Sequence, residues 1–491
     1  MTLPELCGSA LSSRPGQPAL EFGGRTYTFA DIDRRSTRVA QWLQLRGFHL
    51  GDRLAVYLEN RIEFIDLFLA CAKTGVIFLP INILYRGREV SHIVADAQPK
   101  AIVASAPVPE QASFVDVAEI SAAAEGADGT GAAAGATSKP ALTSSSPLAI
   151  VYTSGTTGTA KGAILTHGNF VANARSLVAA WRFSADDRLL LPLPLFHVHG
   201  LGNGVGCWLA SGCVMRVLER FEHERAALEF MSYRPTVFFG VPTIYIRLLG
   251  MSADVAREIG TAMRLFVSGS APLPAHVHDA FRERFGHAIL ERYGMTETFM
   301  NVSNPYDGER RAGTVGFPLP GVDVRIITED GRTAAPDEAG EVQIKGANVF
   351  AGYWGREEAS RAAFVDGWFR TGDIGVRSAD GYISLRGRAT DLIISGGFNI
   401  YPREIEEVIL EVPGVREAVV VGAGDPVRGE VPVAYIAAGD AYDEAALVEH
   451  LRKSLASFKM PRAFVRVEQL PRTALGKVQK HLLPPWTASS R

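Results

Sequence analysis

The chain has 491 residues, which at ordinary domain size means about three folding units or one large core with an appendage, and excludes a small stapled or solenoid module. Its 50 Lys and Arg against 53 Asp and Glu give a formal net charge of −3, so no global field draws it to nucleic acid or to an anionic membrane. Four cysteines, Cys7, Cys71, Cys207 and Cys213, are too few and too scattered for a disulfide framework or a structural zinc site, and they read as reduced thiols of a cytoplasmic protein.

In chain order, the first residues carry an acid at Glu5 and lack both the basic and the apolar segments of a secretory signal. FADIDRRSTRVAQWLQLRG, from Phe29, has apolar residues at helical spacing as far as Gly47, and DRLAVYLEN reads as the strand that follows. EFIDLFLACAKTG and VIFLPIN repeat the pattern, which argues for a layered α/β architecture. From Ser121 to Pro147 the composition shifts to Ala, Gly, Ser and Thr, the signature of a flexible surface loop. No Asp, Glu, Lys or Arg lies between Arg188 and Arg216, a run long enough to span a bilayer. Its Pro192, Pro194, His197, His199 and five glycines make it a buried strand, loop and helix instead. After about Gly387 the character changes. Pro402 opens a helix with Glu404, Glu406 and Glu407 in its first turns, where negative charge suits the helix dipole. A strand (REAVVVGA), a loop (GDPVRGEVP), a second strand, a helix and a last strand complete a small α/β unit of about 100 residues.

The strongest local signal is YTSGTTGTAKGAILTH, from Tyr152 to His167. Gly155, Gly158 and Gly162 allow tight turns that present N–H groups; Thr153, Ser154, Thr156, Thr157 and Thr159 add hydroxyls, and Lys161 adds a cation. Such a loop suits a polyphosphate. It is not a Walker A loop, because Gly162 follows the lysine and Ala160 stands where that motif has its second glycine.

Further blocks follow: SGSAPLP from Ser268, ERYGMTET from Glu291, WFRTGDIG from Trp368, LRGRATDLIISGGFNIYPREIE from Leu385, and PRTALGK ending at Lys477. Together, and in this order, they resemble the adenylate-forming superfamily of acyl-CoA synthetases, adenylation domains and luciferases over nearly the whole chain. The resemblance implies a large N-terminal domain of layered α/β subdomains (1–387), a hinge (388–390) and a small mobile α+β C-terminal domain (391–491). It also implies the chemistry: a carboxylate attacks the α-phosphate of ATP, pyrophosphate leaves, and the acyl group passes to the thiol of coenzyme A, with Mg²⁺ assisting. Attack by one anion on another calls for charge neutralisation and alignment more than for a base.

By the same resemblance, Lys161 and the loop of Thr153, Ser154, Gly155, Thr156, Thr157 and Gly158 would hold the β- and γ-phosphates. Ser270, Ala271, Pro272, Tyr293, Gly294, Met295 and Thr296 would line the nucleotide site, and Glu297 would be the Mg²⁺ ligand. Asp373 would accept the ribose hydroxyls, and Arg388 would help hold ribose and phosphates. Lys477 would insert between carboxylate and α-phosphate in the first step. The small domain would then rotate, replacing that face with Ser395, Gly396, Gly397 and Phe398 beside the pantetheine arm. The family's hinge residue, usually Asp or Lys, is here Thr390, so no argument from hinge charge carries over.

For the acid, GVPTIYIRL offers Arg247 and ERYGMTE offers Arg292, with Ser270, His199 and His197 as polar lining. The stretch ERYGMTETFMNVSNPYDGERRAGTVGFPLPGV resembles malonyl-CoA synthetases, in which arginines at these two positions hold the distal carboxylate. His197 and His199 have the spacing of a metal pair but no acid or third histidine near them, and pocket lining is preferred. Malonate, with methylmalonate beside it, is the expected acid. The alternatives are a short- or medium-chain fatty acid, or delivery to a carrier protein instead of free CoA. The expected partners are small molecules, with no nucleic acid and no membrane, and the protein is expected to be a monomer or weak dimer.

Overall fold

A computed structural model describes residues 1–108, 112–126, 140–153, 160–395, 398–425, 428–473 and 476–486. The phosphate-loop residues Ser154, Gly155, Thr156, Thr157, Gly158 and Thr159, and the glycines Gly396 and Gly397, lie outside them.

The alternating pattern of the first part becomes a six-stranded sheet whose order runs Ser113–Asp116, Ala101–Ala104, Arg53–Tyr57, Ile77–Pro80, Pro147–Thr153, Lys161–Thr166. All its pairs are parallel except the last, in which Thr153 stands opposite Lys161. Helix Phe29–Leu45 starts where the Thr28 side chain and Asp31 form a reciprocal cap. Helix Ile62–Thr74 is buried along almost its full length and stops at Gly75, whose φ of 75° is open to glycine at little cost.

A nine-stranded sheet forms the second layer, in the order Phe317–Pro318, Phe299–Ser303, Leu290–Met295, Leu265–Ser268, Val237–Gly240, Arg188–Leu191, Val214–Val217, Pro18–Phe22, Arg25–Thr28. Its central strands are parallel, and the loops at their carboxyl ends open on one edge, the place where α/β sheets bind ligands. A third sheet, which includes Trp368–Arg377 and Ile383–Arg388, closes the large N-terminal domain. A separate five-stranded sheet with the helices Pro402–Leu410 and Glu444–Ser454 makes the small C-terminal domain. The strand Ile383–Arg388 belongs to the large domain and Ile393–Ser395 to the small one, with Thr390 exposed in the short turn Ala389–Asp391 between them.

The uncharged run after Arg188 folds as strand Arg188–Leu191, a wide turn of π-helix His199–Val205 and helix Gly206–Ser211. No described helix is long and apolar enough to cross a membrane. All four cysteines are buried free thiols.

Two expectations are corrected. Ser121 does not begin a loop, because Val117–Glu125 is a helix that buries Ala123 and Ala124, capped by Asp116 at its start and by Gly126 at its end. Its small side chains are what lets it lie close against the core, and the Ser121 hydroxyl donates to Glu63 at 2.6 Å. Of the segment GDPVRGEVP, residues 424–425 and 429–432 are strand, so the loop is shorter than expected; Pro426 and Val427 lie outside the described residues. The hairpin strands Val415–Asp425 and Gly429–Ala438 pair as far as Asp425 opposite Gly429, since tertiary pairing overrides the turn-forming composition.

Helix Leu3–Ser13 is anchored by the Leu3 N–H, which donates to the buried His167 Nδ1 at 3.2 Å. Burial lowers the His167 pKa from 6.5 to about 4, with Glu5 opposing weakly. Because the folded-state value lies below the ordinary one, this group's contribution is complete above pH 6.5 and is lost as the pH falls toward 4. Between pH 7 and pH 5 this group alone should contribute a loss of the order of 2 kcal/mol to the stability read by urea unfolding, beside the losses from the other buried histidines. His167→Asn should flatten that pH slope; an unchanged slope would place its origin elsewhere.

Candidate active site

Four loops at the carboxyl edge of the nine-stranded sheet bring the site together. Leu265–Ser268 leads into Gly269 and Ser270, and Val237–Gly240 into Val241, Pro242 and Thr243; Leu290–Met295 leads into Thr296 and Glu297, and Arg188–Leu191 into the segment carrying His197 and His199. Ser270 has a φ of 71°, a left-handed conformation that strains a residue with a Cβ. Ala271 and Pro272 follow it toward the surface.

The nucleotide side is built around Asp373. Its Oδ2 accepts from the Tyr293 hydroxyl, and its Oδ1 pairs with Arg388 Nε at 2.7 Å. Arg388 also donates to the Thr371 carbonyl at 2.9 Å, while the Thr371 hydroxyl accepts from the Asp373 N–H at 3.0 Å. Burial raises the Asp373 pKa, with Arg388 as the first opposing charge. Lys477 faces the same pair. Its pKa is lowered first by desolvation in the cleft and then by Arg388, although the residue as a whole keeps contact with solvent. A side-chain carbon on the preceding Gly476 would meet Thr243 at 3.3 Å, so the C-terminal loop lies directly on the large domain. Gly476 turns there with a φ of 77°, and its carbonyl accepts from Arg472.

On the phosphate side, Glu297 is buried, and its Oε1 accepts from the Tyr353 hydroxyl at 3.0 Å. Burial raises the Glu297 pKa against that hydrogen bond. Lys161 Nζ stands 5.3 Å from the centre of the Tyr353 ring. Gly162 does not serve as a phosphate-loop turn: it lies inside the strand Lys161–Thr166, where a Cβ would come within 2.6 Å of Ile150 and 3.1 Å of the Tyr152 ring.

Arg292, expected from the sequence on the acyl side, is 3% exposed, and its Nε and Nη2 have no hydrogen-bond partner among the described residues. Burial pulls its pKa down to about 9. A Cβ on Gly269 would lie 2.4 Å from the Arg292 Cζ, so only glycine there leaves room for the guanidinium. His199 Nδ1 and Ser270 Oγ are 3.0 Å apart, and the His199 N–H donates to His197 Nδ1 at 3.2 Å. Burial, reinforced by Arg292, lowers the His197 pKa to about 4 and that of His199 well below its ordinary value, so both rings are neutral.

The AMP-binding enzyme model matches residues 9–354, and the AMP-binding enzyme C-terminal domain model matches residues 404–477. The chain belongs to the AMP-binding enzyme family. It is 34% identical to a feruloyl-CoA synthase of Amycolatopsis sp over 95% of both chains. It is 33% identical to the mitochondrial malonate–CoA ligase ACSF3 of Mus musculus, over 94% of this chain and 88% of that one. The crystal structure of ATP-bound MatB from Rhodopseudomonas palustris superposes with a TM-score of 0.90 at 38% identity, covering 98% of each chain. The protein is an AMP-forming acid–thiol ligase that uses ATP and CoA.

The two arginines expected to converge on a second carboxylate differ in burial. Arg247 is exposed on helix Pro242–Leu248, whose buried face is Pro242, Ile244, Tyr245 and Leu248, and no contact joins it to Arg292. It shares a helical face with Thr243, four residues earlier, which places it at the rim of the cleft. On the small domain, Ser395 is buried and Phe398 is exposed, stacked on Phe458 at 4.5 Å. Residue-by-residue reading missed Tyr353 and Gly269. Gly269 was visible only as the centre of SGSAPLP, and Tyr353 as one aromatic in AGYWG, with nothing to show what either would touch.

Proposed function

We propose that the protein is a malonate:CoA ligase that forms malonyl-AMP and then malonyl-CoA, and accepts methylmalonate as well. The observation that carries this reading is the buried guanidinium of Arg292 beside Gly269, whose Nε and Nη2 have no hydrogen-bond partner among the described residues. An isolated buried charge costs several kcal/mol, about what a well-placed bidentate carboxylate returns. The neutral His197 and His199 add no competing charge, and Ser270 beside His199 adds a further hydrogen-bonding group. Similarity to the mouse malonate–CoA ligase supports the same acid. A fatty acid would set a methyl group against the guanidinium and leave it unpaired.

One carboxylate of malonate then sits at Arg292, and the other faces the α-phosphate between Lys477 and the Asp373–Arg388 pair. Lys477 neutralises the approach of anion to anion, and pyrophosphate leaves toward Lys161 and the loop before it. Glu297 suits Mg²⁺, since it offers a buried hard oxygen ligand whose orientation the Tyr353 hydroxyl holds. When bound, Mg²⁺ supplies charge neutralisation to the pyrophosphate. Rotation about Thr390 would bring Ser395 and Phe398, with the glycines between them, to the acyl-AMP for attack by the CoA thiol. The four buried thiols suit a reducing cytoplasm, and we place the protein there as a monomer or weak dimer.

ATP–pyrophosphate exchange with a panel of acids tests the reading. Malonate should exceed butyrate in kcat/KM by about 10³-fold or more, as for sites that bond a specific polar group. Equal exchange would mean that Arg292 does not read the substrate. Comparing free CoA with a carrier protein as acceptor decides between the two thiols.

A further inference from the structure

We infer that Tyr353 is a positioning residue of the triphosphate–metal site, tying the metal ligand Glu297 to the phosphate lysine Lys161. This rests on the reading of Glu297 and Lys161 given above. Tyr353 is the described side chain that touches both: its hydroxyl donates to Glu297 Oε1 at 3.0 Å, and its ring lies 5.3 Å below the Lys161 ammonium. The contacts differ in kind. A hydrogen bond to one oxygen of a carboxylate fixes the direction of its lone pairs and leaves the other oxygen to face a cation, whereas the ring face holds an ammonium without neutralising it.

The backbone around Tyr353 binds the same two parts together. The Phe350 N–H donates to the Glu297 carbonyl at 2.7 Å, and the segment exchanges bonds with the strand Lys161–Thr166, Ala351 N–H to Ile164 O at 3.0 Å and Ile164 N–H to Gly352 O at 2.9 Å. The Trp354 N–H reaches the Gly162 carbonyl at 2.8 Å, and Ala163 bridges Tyr353 itself. The Tyr353 N–H is held by Ser360 Oγ at 2.8 Å. The segment is thus a clasp between the strand that carries Lys161 and the loop that carries Glu297. Tyr353 is the member of the clasp whose side chain reaches the two charged groups.

This geometry predicts a distinction between nucleotides. AMP has no β- or γ-phosphate, so Tyr353 should matter for ATP with Mg²⁺ and not for AMP. Tyr353→Phe keeps the ring under Lys161 and removes only the hydroxyl. Titration calorimetry should show ATP in saturating Mg²⁺ binding about tenfold more weakly, with more Mg²⁺ needed for half-maximal binding, and AMP within about twofold of the parent. Tyr353→Leu, which also removes the ring, should weaken ATP about threefold further, again sparing AMP. Parent-like ATP affinity and Mg²⁺ dependence in Tyr353→Phe would overturn the inference, as would equal weakening of ATP and AMP. Glu297→Gln separates the two levels. If it shifts the Mg²⁺ dependence and Tyr353→Phe does not, the tyrosine role alone fails; if it shifts nothing, the reading of Glu297 fails and the inference with it.

Discussion

An Arg292→Met variant is expected to lose about 10³-fold in kcat/KM on malonate while binding AMP within about twofold of the parent. In the proposed reading, the loss follows from removing the charge that would pair with the distal carboxylate of malonate. The fold should tolerate the change, because Arg292 is buried without a hydrogen-bond partner for Nε and Nη2 among the described residues. Replacing an uncompensated buried charge by an apolar side chain of similar volume is often neutral or stabilising, so the melting temperature should hold or rise. Butyrate should gain, since its methyl end would meet a thioether in place of a guanidinium. The test is a parallel measurement of kcat/KM for malonate and butyrate in parent and variant. Unchanged malonate kinetics would remove Arg292 from substrate recognition. A loss shared by ATP binding would place its role at the nucleotide.

Lys477→Ala is expected to slow adenylation by about 10² to 10³, the usual cost of removing one preorganised group from a developing charge. Conversion of preformed malonyl-AMP to malonyl-CoA should be nearly unaffected. The structure explains the asymmetry. The Lys477 loop lies on the large domain, with Gly476 against Thr243 and the ammonium within the electrostatic reach of Arg388 and Asp373, which is the arrangement the proposed mechanism needs for the first half-reaction. Ser395 and Phe398 are the residues expected to serve the second. Single-turnover assays of each half-reaction with the same variant check this. Equal losses in both would mean that Lys477 acts in each domain arrangement or that the variant is generally damaged.

How much of this was legible in the sequence differed by residue. Helices such as Phe29–Leu45 and Ile62–Thr74 were legible because apolar periodicity, caps and a terminal glycine act locally. The helix Val117–Glu125 was misjudged beyond Ile120 because from Ser121 on its buried residues are Ala123 and Ala124, which carry no periodic contrast in an Ala-rich segment. The loop after Val415 was drawn too long because antiparallel pairing carries the two strands as far as Asp425 and Gly429. Asp373, Arg388, Glu297 and Lys477 were found through motifs. Their mutual contacts were not, since Asp373 meets Tyr293 and Arg388 only when separate strands are brought side by side.

The sequence by itself determined the family, the chemistry of ATP, acid and CoA, and the presence of two arginines near the acyl motifs, because each is carried by short runs of residues in a set order. Only the tertiary structure decided that the two arginines differ. Arg292 is on a strand buried between sheet neighbours with Gly269 making room for it, while Arg247 is on the outer face of a helix at the rim. Burial is a property of what packs around a side chain, drawn from distant parts of the chain, and no local pattern encodes it. The same holds for Tyr353, which acquires its two charged neighbours from a loop and a strand far from it in sequence.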